Sequence, residues 1–268
     1  MTRGRHSVEP YPIKSRDCDP AGYVHLHRLM DYAQDCDDRN CGLMGIDNQA
    51  LLEKQAAWIL IASTIRFFAD APASGDLLVI DSWSRGLKGI RFYRENRYYR
   101  NQAVPANLIG AASSEWILAS TETHKPLRPA SIIDLEDFQA MSDPSIANIE
   151  IIPRLLASHE AAPALFSLQY QTGYGDLDFN GHMHNTNYTR LALDAAARRL
   201  DLDPGTHHLL VEAFHIQFVA ETGYLETLQI TASPDPTNPQ SMAVEGRFPD
   251  RPDPSFLARL DYRVRQYQ

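Results

Sequence analysis

Two stretches decide the reading of this chain: Asp17-Cys18-Asp19-Pro20-Ala21-Gly22 near the start and Asp176-Leu177-Asp178-Phe179-Asn180-Gly181 past the middle. Both follow D-x-D-x-x-G, at an offset of 159 (176 less 17). The same offset governs what comes next. Leu29, Tyr32, Ala33 and Cys36 answer to Tyr188, Leu191, Ala192 and Ala195, and each set lies at i, i+3, i+4 and i+7, one apolar stripe of a helix. A repeat that keeps register through a motif and a helix makes two related units in one chain.

Working outward, each helix is followed by an apolar, β-rich run, Trp58 to Asp70 and Leu209 to Glu221, now at an offset of 151 (221 less 70). Both runs close on Ala followed by a carboxylate. Further strands are expected at Leu77–Trp83, Ile90–Arg100 and Ala106–Ser120 in the first half, and at Leu225–Ala232, Met242–Phe248 and Phe256–Gln266 in the second. Short links between successive strands require antiparallel pairing, because parallel neighbours need long crossovers. The segment Lys125 to Ala164, rich in Pro, Ser and Ala, breaks the strand pattern; it reads as a connector with local helix near Ile133 to Met141. The expected class is α+β, with an N-terminal lobe over 1–130, a connector over 131–164 and a C-terminal lobe over 165–268. Each lobe wraps a curved antiparallel sheet around a long helix, and the two pair as a pseudo-dimer or as part of a homodimer.

Composition narrows the function. A net charge of −9 argues against general nucleic-acid binding, which draws on Lys and Arg neutralising phosphates. The three cysteines, Cys18, Cys36 and Cys41, lack CxxC spacing, so free thiols are expected rather than a disulfide framework or zinc knuckle. No stretch approaches the ~20 apolar residues that span a bilayer, and the N-terminus has no apolar targeting core; a cytoplasmic location without membrane association is expected.

The segment Gly175 to Tyr188, GDLDFNGHMHNTNY, resembles the motif of acyl-acyl carrier protein thioesterases of the plant plastid type and their bacterial relatives. Trp58, Gly75-Asp76 ahead of a strand carrying Trp83, Ser114 to Trp116, and Pro126 to Pro129 follow in the order of that family's first half. The resemblance implies a tandem hot-dog fold and hydrolysis of fatty acyl-carrier thioesters without metal or organic cofactor, the acyl carrier protein being the substrate-bearing partner. It also implies catalytic roles for Asp178, Asn180, His182 and Glu221. Where plant members place a cysteine beside the glutamate this chain has Thr222, a secondary candidate, so water attack replaces a cysteine nucleophile; His184 stands where an asparagine is usual.

Thioester hydrolysis needs an activated water and donors for the carbonyl oxygen as it becomes negative. Asp178 and Glu221 are the candidate bases, Glu221 favoured, and Asn180 and His182 hold water by hydrogen bonds. Gly181, just ahead of a helix capped at Asn185 or Thr186, is expected to let the backbone approach an oxyanion. Strict alternation puts Glu221 on the wrong strand face unless the strand ends or bulges before it.

Asp19 is the rival carboxylate: DCDPAG resembles the motif of 4-hydroxybenzoyl-CoA-type thioesterases, but Ala21 and Tyr23 replace the polar helpers, implying a lobe that shapes the acyl pocket. His25/His27 and His182/His184 are His-x-His pairs, alternate residues whose side chains diverge on a helix, which suits hydrogen bonding better than metal ligation. The series Arg85, Lys88, Arg91, Arg94, Arg97 and Arg100 reads either as a solvated edge strand or as a dock for an acidic carrier. An acyl-CoA thioesterase of the same fold, and a noncatalytic acyl-binding protein, remain alternatives; a dehydratase lacks its Asp and His arrangement, and a transcriptional sensor lacks a DNA-reading helix pair. Ile59, Ile61 and Phe67 are expected to line the acyl cavity.

Overall fold

The computed structural model describes residues 5–147, 154–155 and 166–267. The first half contains β1 (His6–Pro12), α1 (Leu26–Met44), α2 (Asn48–Leu52), β2 (Ala56–Phe67), β3 (Leu77–Lys88), β4 (Arg91–Arg100), β5 (Leu108–Ser120) and α3 (Leu135–Met141). The second contains β6 (Ser167–Gln171), α4 (Asn185–Arg199), β7 (His207–Phe218), β8 (Thr227–Asp235), β9 (Asn238–Arg247) and β10 (Pro254–Gln266). Every strand expected from the sequence is present. The edge strands β1 and β6 are additional. Most of the connector beyond 147 lies outside the described residues, but its expected helix forms as α3, where the Asp134 side chain accepts from the amides of Glu136 and Asp137.

The strands make one antiparallel sheet in the order β1-β3-β4-β5-β2-β7-β10-β9-β8-β6. Read inward from either edge, the order is the same once each strand is matched to its repeat partner. The junction shows why. Thr64 of β2 pairs with His215 of β7, Ser63 with Ile216 and Ile65 with Phe214; Thr64 and His215 are also counterparts in the repeat, 151 apart. A local two-fold therefore passes through this pair, whose side chains meet at 2.6 Å (Thr64 Oγ1 to His215 Nδ1). The helices meet near the same axis, where Gln34 and Asn185 exchange two amide hydrogen bonds of 2.9 Å.

The apolar stripes do what their spacing requires. Leu29 and Cys36 of α1 are fully buried, as are Ala192 and Ala195 of α4, and one core cluster runs through both halves. At its C-terminus α1 turns on Gly45, at φ 70°, a left-handed cap that suits a residue without Cβ. The helix α4 starts at Asn185, and its N-cap is His184, which offers no side-chain hydrogen bond to the first turn. This corrects the cap expected at Asn185 or Thr186 by one or two positions.

Burial of His215 gives the fold an acid sensitivity. Desolvation holds this imidazole neutral, its pKa pushed down to about 4, and its Nε2 has no partner among the described residues. The unfolded chain takes up a proton near pH 6.5 that the folded chain refuses until about pH 4, so stability falls as pH drops through that window. The loss is on the order of 3 kcal/mol. Urea unfolding at pH 7 and pH 4.5 is expected to show it, and His215→Leu is expected to reduce the difference between the two.

Candidate active site

The loop before α4 is wound on itself. The Asp178 amide donates to the His182 carbonyl (2.9 Å), the Gly181 amide to the Asp178 carbonyl (3.0 Å), and the Asn180 amide to Asp178 Oδ1 (2.8 Å). Gly181 sits at φ +79°, a conformation that costs other residues steric strain. The first aspartate of the motif is structural. Asp176 accepts from Tyr170 Oη (2.7 and 2.8 Å), from the Gly173 amide (2.8 Å) and from Arg190 (3.3 Å). In the first half Asp17, almost fully buried, likewise accepts from Tyr32 Oη (2.7 Å) and Arg28 (3.2 Å). In both motifs the first aspartate holds the loop and the second faces a cleft.

A backbone bond from the Met183 amide to the Thr222 carbonyl (2.8 Å) ties this loop to the segment after β7. That segment resolves the parity conflict over Glu221. The strand stops at Phe218, the amides of Val219 and Ala220 both donate to the Ser255 carbonyl, and Glu221 lies beyond the alternation. Glu221 Oε2 is 2.9 Å from His124 Nδ1 and 3.3 Å from His182 Nε2, and the two imidazoles meet edge-on at 5.0 Å. His124, absent from the sequence-based candidates, comes from the turn after β5 in the first half, at φ +56°. The three ligand atoms lie within 4.8 Å of one another, close enough to hold a cation.

Asp178, Asn180, His182, Glu221 and His124 all line one cleft of about 570 Å³, whose walls include Trp58, Ile59 and Ile61 of β2. A narrower chamber of about 170 Å³ shares Trp58, Asp178, Phe179, Asn180 and Asn185 with it and runs between Ile46, Phe92, Trp116 and Phe138. Its polar end is a buried network. Arg94 donates to Asn40 Oδ1 (2.9 Å) and Ser82 Oγ (3.0 Å), and Asp37 accepts from Ser82 (2.6 Å) and Asn96 (2.7 Å).

Several sequence-based assignments change. The Gly181 amide is engaged by Asp178, so it is not an oxyanion donor; the amides of Asn185 and Thr186, at the start of α4, have no acceptor among the described residues. Thr222 is fully buried behind Glu221, its hydroxyl on Ser255 Oγ at 2.8 Å and its amide donating to Tyr188 Oη at 3.2 Å. It positions the segment and does not reach the cleft. Phe67 lines a different cavity from Ile59 and Ile61. His182 and His184 diverge as expected, His184 turning to Thr186 Oγ1 (2.9 Å), but the rings of His25 and His27 do not, stacking at 5.1 Å.

The basic series is not a free docking strip. Arg94 is buried, because a spacing of three alternates strand faces and puts it beside Phe92 and Tyr98. Arg85 pairs with fully buried Glu95 (3.0 Å) and Arg91 with Glu115 (2.5 Å), while Arg97 lies 4.8 Å over Trp83 and Arg100 pairs with Asp76 (3.1 Å). Lys88 alone of the series is exposed without a partner among the described residues.

The motif-helix-sheet unit thus occurs twice, and a carboxylate and two imidazoles meet in one cleft. The chain belongs to the acyl-ACP thioesterase family: the model for the N-terminal domain of that family matches residues 4–133 and that for the C-terminal domain residues 159–247. Its fold is similar to that of an acyl-ACP thioesterase from Bacteroides thetaiotaomicron (TM-score 0.79, 17% identity, covering 98% of this chain and 100% of that one). It is also similar to the 12:0-ACP thioesterase from Umbellularia californica (TM-score 0.80, 14% identity, 98% and 95%) and a putative oleoyl thioesterase from Lactobacillus plantarum (TM-score 0.76, 18% identity, 98% and 97%). A sequence search of curated proteins found no significant match.

Proposed function

We propose that this chain hydrolyses fatty acyl-acyl carrier protein to free fatty acid, with Glu221 as general base, in the service of fatty acid synthesis in the cytoplasm. The reading that goes with it is a double hot-dog: lobes over 1–130 and 165–268, each wrapping its sheet around α1 or α4, joined by a connector over 131–164. The observation that carries the chemistry is the Glu221 carboxylate, one oxygen held by two imidazoles, in a cleft it shares with Asp178 and Asn180.

In this scheme His124 and His182 approach the same oxygen, Oε2, and fix the carboxylate plane, so that Oε1 is left to take a proton from water. The water oxygen attacks the thioester carbonyl carbon as its proton passes to Glu221. The carbonyl oxygen becomes an oxyanion, received by the free amides at the start of α4 and the Asn180 side chain. Collapse breaks the carbon–sulfur bond, and Glu221 returns the proton to the departing thiolate, giving acid and thiol. Asp178 keeps the loop wound through Oδ1 and presents Oδ2, which has no hydrogen-bond partner among the described residues. The acyl chain extends past Trp58 into the chamber ending at Arg94 and Asp37.

Parallel assays with one acyl chain on acyl carrier protein and on coenzyme A test the substrate class. The carrier-protein thioester is expected to be the better substrate; a strong preference for coenzyme A contradicts this reading and favours the acyl-CoA alternative, and retention of ligand without turnover favours the noncatalytic one. His124, His182 and Glu221 are also placed so that they would hold a divalent cation, which would supply Lewis-acid activation there. Exhaustive dialysis against EDTA is expected to leave turnover unchanged. Activity lost on dialysis and restored by zinc would replace the carboxylate base with a Lewis acid.

A further inference from the structure

The local two-fold generates a second cleft, of about 580 Å³, that hydrolysis does not use. Its walls are counterparts of the first. Asp19, Ala21 and Tyr23 stand where Asp178, Asn180 and His182 stand, Phe67 to Asp70 replace Phe218 to Glu221, and β7 from His208 onward replaces β2 from Ala57 onward. The volume is preserved and the machinery is not. Asp70, the counterpart of Glu221, is held by Arg265 in two contacts of 3.1 and 3.2 Å, so it lacks a free base oxygen. Asp19 has both oxygens engaged, Oδ1 by the Tyr23 amide (3.0 Å) and Oδ2 by His208 Nε2 (2.9 Å).

His208 is the informative residue. It occupies the place of Ala57, is more than nine-tenths buried, and lies under the Tyr23 ring at 4.7 Å. Its Nδ1 has no hydrogen-bond partner among the described residues. A buried polar atom without a partner costs free energy unless something satisfies it. In the tautomer that donates Nε2–H to Asp19, Nδ1 is an acceptor that an amide N–H would satisfy. Burial works to raise the Asp19 pKa, but the hydrogen bonds from His208 and the Tyr23 amide hold its carboxyl below the ordinary range, so Asp19 itself is ionised at neutral pH. Apolar walls from Leu193, Ala197, Leu209 and Val211 complete it.

We propose that this cleft is a second, noncatalytic binding site for an acyl chain carried on a neutral, amide-bearing head such as a pantetheine arm. The apolar walls take the chain, an arm amide N–H meets His208 Nδ1, and the Asp19 charge disfavours a free fatty acid carboxylate. From the proposed function the inference takes only the ligand class.

Isothermal titration with S-dodecyl-pantetheine, a thioether that cannot be hydrolysed, tests it. Wild-type protein is expected to bind two equivalents. Ala197→Phe, which fills this cleft from α4, is expected to bind one while keeping wild-type turnover of dodecanoyl-carrier protein. Ala21→Trp, from the opposite wall, serves if the first variant does not fold. Dodecanoate is expected to leave the second equivalent in place. One equivalent in wild type that both fillers retain, two equivalents that both retain, or no binding at all would overturn the proposal. A single wild-type equivalent that the fillers abolish would support this site and count against the active-site assignment.

Discussion

Glu221→Gln is expected to lower turnover of an acyl-carrier thioester by about 10²- to 10⁴-fold, the range lost when a general base is removed. Glutamine keeps the shape of the side chain and can still meet both imidazoles, but its amide cannot accept the proton of an attacking water. The residue lies past the end of β7 with its side chain about 42% exposed. A surface substitution of this kind typically shifts stability by less than about 0.5 kcal/mol, so the loss is chemical and the melting temperature is expected to hold. Steady-state kcat beside circular dichroism checks both halves of the statement. A folded variant with wild-type kcat would remove Glu221 from the mechanism.

Gly246→Ala carries the second large effect, and it acts on the fold. Gly246 of β9 faces Phe256 of β10, and a Cβ placed there would meet the ring carbons Cε1 and Cδ1 of Phe256 at 2.2 and 2.6 Å. Phe256 is fully buried and cannot swing into solvent. Overpacking of this kind costs roughly 1–3 kcal/mol or more, and each kcal/mol is worth about 2–4 °C of Tm in a chain of this size. The strain also reaches the site. Phe256 packs edge-on against Tyr188 (5.5 Å), whose hydroxyl accepts the Thr222 amide next to Glu221. A Tm lowered by several degrees with reduced turnover is therefore expected, and Phe256→Leu in the same chain is expected to recover part of the loss by making room. An unchanged melting temperature would show that the ring has freedom the packing denies it.

What the sequence made legible was whatever repeats. The offset of 159 through the motif and the helix, falling to 151 along the strands, located both helices and eight strands, but the pairing of Thr64 with His215 came only with the register of β2 and β7. The edge strands were not legible: β1 carries two prolines and a glutamate, and β6 alternates as Ser-Leu-Gln-Tyr-Gln but over only five residues, too short a run to stand out. Strict alternation requires a strand end before Glu221, and β7 supplies one at Phe218. His124 had no local signal, because its meeting with Glu221, 97 residues later, depends on the β2–β7 register that closes the sheet. Gly181 and the arginine series failed for opposite reasons. A positive φ marks where the backbone turns, not which amide is free, and regular spacing of charge does not say which face of a strand is buried. Arg94 sits inside for that second reason.

In the proposed mechanism water itself, deprotonated by Glu221, attacks the acyl carbon. A single turnover in water enriched in oxygen-18, with enzyme in excess over dodecanoyl-carrier protein, tests it most directly. Direct attack puts the heavy oxygen into the released dodecanoate and leaves the peptides bearing Asp178 and Glu221 at their natural mass. Heavy oxygen found instead in either of those side chains, with unlabelled dodecanoate, would mean that a carboxylate of the protein had formed the first bond to the acyl group.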